Sequence, residues 1–170
     1  ISAPSYPQAA QLQTGPKSSF AAIKVTDGTR IELSSASALE IVGDLSAEAG
    51  RTLRVTRGLA SAQVAKQPAA HPMLFRTPNA EAKVLGTQLL LDVTAESTRL
   101  EVREGRVRLT RMEDGAGVDV PAGSCAVASK GPAPAARFNR STAALQALYS
   151  FREGRGGVVH DLSGTGAPLD

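Results

Sequence analysis

Few side chains in this sequence are of the types that carry out metal or nucleophilic chemistry. The 170 residues include one cysteine, Cys125, and two histidines, His71 and His160. A single cysteine forms neither an intrachain disulfide nor a thiolate metal site, and neither histidine has a second potential ligand near it in sequence. We therefore expect no metal site, no cofactor and no hydrolase triad, so the chain is not predicted to be an ordinary enzyme.

The most unusual spacing belongs to the pair Gly86-Thr87. It lies between two strand-like runs, Ala80 to Val84 and Gln88 to Val93, the second of which puts Leu89, Leu91 and Val93 on one face. A glycine within a strand pattern usually marks a bulge or a close approach of other backbone, whereas a threonine hydroxyl is a nucleophile when it is activated. The pair is either a structural corner or a chemical site, and we favour the corner.

The elements around this pair have the pattern of β-strands. Glycines and prolines, 16 and 10 in number, separate short runs of alternating apolar and polar residues, which favours a β-domain over disorder. Asp27-Gly28 between two such runs predicts a hairpin, and Glu104-Gly105 predicts another within Arg99 to Leu109. Residues 20–129 contain no long amphipathic helix. We predict an all-β, jelly-roll-like sandwich of roughly ten or more short antiparallel strands.

The charge pattern argues against nucleic acid as a partner. The formal net charge is +3, but aromatic residues are only 4% of the chain and tryptophan is absent. Basic residues alternate with acidic ones and form no continuous stripe beside aromatic side chains that could stack on nucleic-acid bases. No apolar run approaches the roughly 18 residues of a membrane helix, so no membrane span is expected in this sequence.

One face of the hairpin predicted around Glu104-Gly105 is charged. It is either a face for an anionic ligand or a solvated set of cross-strand arginine–glutamate pairs, and the second interpretation is favoured. The candidate interaction residues on it are Arg99, Glu101, Arg103, Arg106 and Arg108.

Composition divides the chain into four parts. Residues 1–19 read as an extended N-terminal segment, 20–129 as the β-domain, and 130–143 as a Pro/Ala-rich linker. Residues 144–170 return to apolar character and end in a glycine-punctuated tail that is too short for a separate domain.

Several motifs in residues 20–129, in the expected order, resemble the FecR domain. The resemblance implies an extracytoplasmic β-sandwich, found in membrane-spanning regulators that restrain a sigma factor until an outer-membrane receptor signals. It also implies a periplasmic or extracellular location and a protein partner. The motifs are Asp27-Gly28-Thr29-Arg30-Ile31-Glu32-Leu33, Arg51 to Val64, Arg76-Thr77-Pro78, Val84-Leu85-Gly86-Thr87, Glu104-Gly105-Arg106-Val107 and Pro121-Ala122-Gly123.

The same resemblance gives Gly86-Thr87 a specific candidate chemistry. Some FecR-family regulators cleave themselves at a Gly-Thr bond by an N-to-O acyl shift, and the matching residues here are Gly86 and Thr87. The family usually has an aromatic residue two positions after the threonine, whereas Leu89 stands here. That departure weakens the expectation of self-cleavage and keeps the structural corner as the preferred interpretation.

The tail resembles the opening strand of a laminin G-like, concanavalin A-like lectin domain, through Leu148-Tyr149-Ser150-Phe151 and Glu153-Gly154-Arg155-Gly156. This resemblance adds Tyr149 and Phe151 as candidate interaction residues and carbohydrate as a candidate ligand. The leading hypothesis is a non-enzymatic interaction module joined to lectin-like sequence. The alternatives are a self-cleaving signalling domain, and a subunit of an extracellular assembly that exchanges strands or self-associates through Ile1 to Ser19 and Ala144 to Asp170.

Overall fold

A computed structural model describes residues 9–17, 19–42 and 51–138 of the chain. All regular secondary structure in these ranges is β-strand, as the sequence predicts. No helix in the described residues is long and apolar enough to cross a membrane. The thirteen strands are β1 (Ala9–Gln13), β2 (Ala21–Lys24), β3 (Arg30–Leu33), β4 (Ala38–Val42), β5 (Thr52–Gln63), β6 (Met73–Arg76), β7 (Ala80–Val84), β8 (Gln88–Val93), β9 (Ser97–Glu104), β10 (Arg106–Arg111), β11 (Gly117–Pro121), β12 (Ser124–Ser129) and β13 (Arg137–Phe138).

Strand β5 joins the two halves of the fold. Its first half pairs with β4 and β6, and its second half pairs with β3 and β8. We call the half ordered β1-β4-β5-β6-β7-β10-β11 sheet 1, and the half ordered β2-β3-β5-β8-β9-β12-β13 sheet 2. Among the described strands, β5 and β6 pair in parallel and the other pairs are antiparallel. The two halves form one hydrogen-bonded sheet that wraps around a shared core and is nearly a closed barrel.

The strand β5 changes sheet at Gly58. The strand continues through this switch, because Gly58 adopts a φ of +85° that residues with a side chain rarely take. A β-carbon at this position would also lie 2.3 Å from the Ser37 hydroxyl oxygen. That hydroxyl instead accepts a hydrogen bond from the Leu59 N–H at 2.9 Å. Gly58 thus allows one strand to serve both sheets.

The core is built from the inward face of each strand. Alternation along β8 buries Leu89, Leu91 and Val93, which is the face that the sequence predicts. Burial of each large apolar side chain stabilises the fold by about 1.5–3 kcal/mol. A polar contact also spans the core, where the Thr77 and Thr98 hydroxyl oxygens lie 2.6 Å apart in a buried pair. The largest fully buried side chains include Phe75, Ile31, Leu33, Leu39, Leu53 and Met73.

The two predicted hairpins have different outcomes. Strands β2 and β3 form the hairpin predicted at Asp27-Gly28, with Gly28 at a φ of +92°. The hairpin predicted at Glu104-Gly105 is wrong. Strand β9 pairs with β8 and β12 in sheet 2, whereas β10 pairs with β7 and β11 in sheet 1. The chain crosses between sheets at Gly105, because β9 pairs with the preceding strand β8 and β10 pairs with the following strand β11, rather than with each other.

The described part of the chain ends in a segment held by Arg111. The Arg111 Nη1 donates to the carbonyl oxygens of Ser129, Gly131 and Pro132 at 2.9, 2.7 and 3.0 Å. Its Nε donates to the Asp114 carboxylate at 2.8 Å. Residues 129–132 are therefore fastened to the β10–β11 turn, and the short strand β13 follows within the segment that the sequence assigns to a linker. Strand β1 likewise lies in the predicted N-terminal segment, where it pairs with β4.

Candidate functional site

Three crossings between the sheets meet at one end of the fold. The chain passes from β7 to β8 at Gly86-Thr87, from β9 to β10 at Gly105, and from β11 to β12 at Ala122-Gly123. The Ala122 N–H donates to the Gly105 carbonyl at 2.9 Å, and the Val64 N–H donates to the Thr87 carbonyl at 2.8 Å. These bonds tie the crossings and the end of β5 into one unit, which contains the candidate site.

Backbone crowding explains why glycine stands at position 86. Gly86 has a φ of +141°, in the range that favours glycine. A β-carbon there would lie 3.0 Å from the Lys66 Cα, so the neighbouring connection leaves almost no room for a side chain. Of the two expectations for this glycine, a bulge or a close approach of other backbone, the structure shows the close approach.

The neighbouring threonine is buried and has an unusual hydroxyl. Thr87 is 4% exposed, and its Oγ1 has no hydrogen-bond partner among the described residues. Gly105 covers it: a β-carbon on Gly105 would lie 2.6 Å from the Thr87 Cγ2 and 2.9 Å from the Gly86 carbonyl oxygen. A buried hydroxyl without a partner is costly, so this group is either a tolerated defect or a group kept for chemistry.

The Thr87 hydroxyl is of a type that acts as a nucleophile, but no described residue is hydrogen-bonded to it as a base. An acyl shift needs a group that accepts the hydroxyl proton and donors that stabilise the oxyanion. The closest acidic residue in sequence to the Gly105 crossing is Glu104, whose Oε2 accepts a hydrogen bond from the Gln88 amide at 2.9 Å. With no acceptor on the Thr87 hydroxyl, the described arrangement favours the corner role.

A polar network supports the same end of the fold. The Gln67 amide donates to the Asp27 carboxylate at 2.8 Å, and Arg51 forms an ion pair with the same carboxylate. Burial opposes ionisation of Asp27, but the Thr29 N–H, the Gln67 amide and Arg51 outweigh it and lower the Asp27 pKa below 3.8. The ionised carboxylate fixes the β2–β3 turn against the β5–β6 connection.

The structure separates the candidate interaction residues into two groups. Arg99, Glu101 and Arg103 lie on the outer face of sheet 2, where Glu101 is 3.7 Å from Arg99 and 3.9 Å from Arg103. Arg106 and Arg108 lie on the outer face of sheet 1. The cross-strand pairing expected between β9 and β10 is wrong, because these strands are not neighbours.

Two candidate interaction residues lie outside the described part of the chain, and one residue near the other candidates was not predicted from the sequence. Tyr149 and Phe151 are outside the described residues. Lys83, which is directly opposite Arg108 on the outer face of sheet 1, was not predicted as an interaction residue. The alternation in β7 shows that Lys83 is exposed, but only the strand register shows which residue it faces.

Comparisons with known proteins agree with this architecture. Residues 10–108 match the protein family described as FecR protein. Two crystal structures described as an anti-sigma factor from Parabacteroides distasonis ATCC 8503, at 2.50 and 1.65 Å resolution, match with TM-scores of 0.66 and 0.65 and 18% identity. These matches cover 83% and 82% of this chain and 67% and 66% of those chains. The present chain thus spans about two thirds of their length, and at that identity the likeness shows the fold alone.

The comparisons do not support the lectin-like interpretation of the tail. No curated protein matches the sequence. The lectin-like resemblance of residues 144–170 lies outside the described residues, and the family and structural matches give it no support.

Proposed function

Because this chain belongs to the FecR protein family, we propose that its β-domain is the regulatory domain of a signalling protein and acts through protein contacts. The observation that carries the proposal is the extent of the family match, which includes most strands of both sheets. The shared fold with structures described as an anti-sigma factor supports it. The scarcity of chemistry-bearing side chains is in keeping with a non-enzymatic role.

We place this regulatory domain outside the cytoplasm, in the periplasm or at the cell surface. The support is the location that the family resemblance implies. In that setting a signal received by the domain alters the activity of a sigma factor on the other side of a membrane. Strand exchange through the N-terminal segment is a weaker alternative, because β1 already pairs with β4 of its own chain.

A transcription experiment in the source organism tests this function. Residues 20–129 are deleted in frame from the chromosomal gene, and transcripts are measured by RNA sequencing with and without the inducing condition. A matched strain carries Glu96→Gln, a single change at an exposed residue of the turn between β8 and β9. A regulator predicts that the deletion changes a defined set of transcripts, while the matched strain behaves as wild type. Unchanged transcription after the deletion would refute the regulatory role.

Self-cleavage at Gly86-Thr87 is the second candidate, and the observation that favours it is the crowded backbone of Gly86, which has a φ of +141° and a carbonyl oxygen packed against Gly105. In this reaction the Thr87 Oγ1 attacks the Gly86 carbonyl carbon, and the hydroxyl proton is transferred to the departing amide nitrogen. The C–N bond breaks as an ester forms, and water then hydrolyses the ester to a Gly86 carboxylate and a free Thr87 hydroxyl.

Intact-mass spectrometry of the purified chain distinguishes the two candidates. Cleavage predicts two fragments, one ending at Gly86 and one starting at Thr87, whose masses add up to that of the chain plus one water. Thr87→Val must abolish the fragments, and Thr87→Ser, which keeps a hydroxyl, should retain them. A single species of intact mass in wild type would rule out this chemistry and leave the regulatory role in place.

A further inference from the structure

The outer face of sheet 1 holds like charges directly across from one another. The register of β7 and β10 sets Lys83 opposite Arg108. Leu85 directly follows β7 and Arg106 begins β10, so both lie next to this pair at the end where Val84 is opposite Val107. Like charges on directly opposed residues destabilise a sheet. We call Lys83, Leu85, Arg106 and Arg108 the basic patch.

Two other arginines of this face are paired with carboxylates. Arg54 lies 3.1 Å from Glu40, and Arg76 lies 2.8 Å from Glu81, so each has a carboxylate partner on an adjacent strand. Within the described ranges, neither Lys83 nor Arg106 has an acidic side chain within 4 Å. Uncompensated positive charge is therefore present at the end of the face where β7 and β10 meet the crossings.

Arg108 is only partly neutralised. Its Nη1 lies 3.4 Å from the Asp119 carboxylate, and both side chains are about half exposed. A β-carbon on Gly117 would lie 3.0 Å from the Arg108 Nε, so the guanidinium extends over the backbone of β11 at a position without a side chain. The exposed pair contributes little attraction in water, and Arg108 remains available to a second carboxylate.

An apolar side chain sits within the charged group. Leu85 is 42% exposed and lies between the end of β7 and Gly86. Protein interfaces combine apolar contact area with arginine side chains, so a protein partner is able to use this leucine together with the charges. A phosphate or a nucleic-acid backbone would match the charges of the patch but would leave this leucine unused.

We propose that the basic patch binds an acidic protein segment, with carboxylates at Lys83 and Arg106 and an apolar side chain against Leu85. The proposal deepens the regulatory function above by naming the chemistry of the partner, and it rests on the domain acting through protein contacts. Bound carboxylates remove the repulsion between Lys83 and Arg108. Because the patch adjoins both Gly86 and Gly105, a bound segment also bears on the two crossings of the candidate site.

Fluorescence anisotropy with the 170-residue chain tests the proposal. The probe is a fluorescein-labelled peptide of four Glu-Leu repeats, and the matched probe has glutamine in place of glutamate. The acidic peptide is expected to bind at least tenfold more tightly than the glutamine peptide at low salt, and the difference should shrink as salt rises. Equal binding of the two peptides would overturn the proposal.

Two charge-reversal variants show whether the site is this patch. Lys83→Glu with Arg106→Glu should weaken binding of the acidic peptide at least tenfold. The control, Lys24→Glu with Arg30→Glu on the outer face of sheet 2, alters two exposed cations that also lie directly opposite each other. It changes the net charge equally and should change binding less than twofold. Equal loss in both variants would mean that net charge alone attracts the peptide, which overturns the assignment of the site.

Neutral substitutions and vesicles complete the experiment. Lys83→Gln with Arg106→Gln should also weaken binding while keeping or raising the thermal midpoint, so that lost binding is not explained by unfolding.

Vesicles of phosphatidylglycerol are tested against the same variants. Vesicle binding that depends on Lys83 and Arg106, in the absence of peptide binding, would replace the acidic segment by a lipid surface and refute the proposal. The peptide result is independent of the transcription experiment, so the two proposals fail separately.

Discussion

Gly105 lies directly over Thr87: a β-carbon on the glycine would fall 2.6 Å from the threonine Cγ2. The two residues belong to different crossings between the sheets, and Gly105 has a φ of +82°. The corner at Gly86-Thr87 is therefore closed by a residue from another part of the chain. Backbone conformation and space both require glycine at position 105.

Gly105→Ala tests this relationship. We expect the substitution to lower the free energy of unfolding by about 2–4 kcal/mol, since it adds a steric clash with Thr87 to the cost of a left-handed alanine. The measurement is urea unfolding followed by circular dichroism. Gly123→Ala is the control, because Gly123 has a similar φ of +75° but open space around it. Equal losses in the two variants would show that the contact with Thr87 is unimportant.

The unpartnered Thr87 hydroxyl leads to a second prediction. Valine has the same shape and removes the buried polar atom, so Thr87→Val should raise the free energy of unfolding by about 1 kcal/mol. Thr87→Ser keeps the hydroxyl and loses a methyl group, so it should destabilise the protein by about 1 kcal/mol. A destabilised valine variant would indicate that the hydroxyl has a partner in solution.

The buried hydroxyl pair of Thr77 and Thr98 predicts that valine at position 77 costs more stability than valine at position 98. The Thr77 Oγ1 accepts the Ala80 N–H at 2.9 Å as well as contacting Thr98. Thr77→Val leaves that N–H unsatisfied and should cost about 1–3 kcal/mol, whereas Thr98→Val removes one hydrogen bond and should cost about 1 kcal/mol. Thermal unfolding of both variants measures the difference. The reverse order would contradict this assignment of acceptors.

The ion pair at the β10–β11 turn predicts a dependence on pH. Hydrogen bonds from Arg111 and from the Ala116 N–H lower the pKa of Asp114 from 3.8 to about 2. A folded-state pKa below the unfolded value means that ionised Asp114 stabilises the fold above about pH 3.8, and this stabilisation is lost as the pH falls towards 2. Asp114→Asn should therefore be less stable than wild type at pH 6 and lose less further stability between pH 4 and 2.

Acid titration followed by circular dichroism measures that difference. Asp119→Asn is the control, since Asp119 is on the neighbouring strand and its ion pair with Arg108 is exposed. The control should follow the wild-type curve between pH 4 and 2. Parallel acid unfolding of wild type and Asp114→Asn would show that Asp114 does not contribute.

Local pattern predicted the elements of the fold better than their partners. The alternation of Leu89, Leu91 and Val93 identified a buried strand face, and Asp27-Gly28 identified a hairpin, because both signals are contained within a few residues. The pattern around Gly105 resembles a hairpin equally well. It is a crossing instead, since pairing with β7, β8, β11 and β12 outweighs a local turn.

The candidate site was predicted in position but not in composition. Glycine in a strand pattern correctly indicated close backbone at position 86, yet the neighbours that crowd it, Lys66 and Gly105, come from two other connections. The basic patch was likewise only half predicted. Arg106 and Arg108 were identified by type, whereas Lys83 joins them only through the register of β7 against β10.

The shared strand β5 has a consequence for how this protein unfolds. A fold with two independent sheets is able to lose one and keep the other, so that a partly folded species accumulates. Here the twelve residues of β5 contribute central hydrogen bonds to both halves. Removing either half exposes part of the same strand, which couples the two halves energetically. We expect a single cooperative transition for this domain, with no stable half-folded intermediate for a protease to capture.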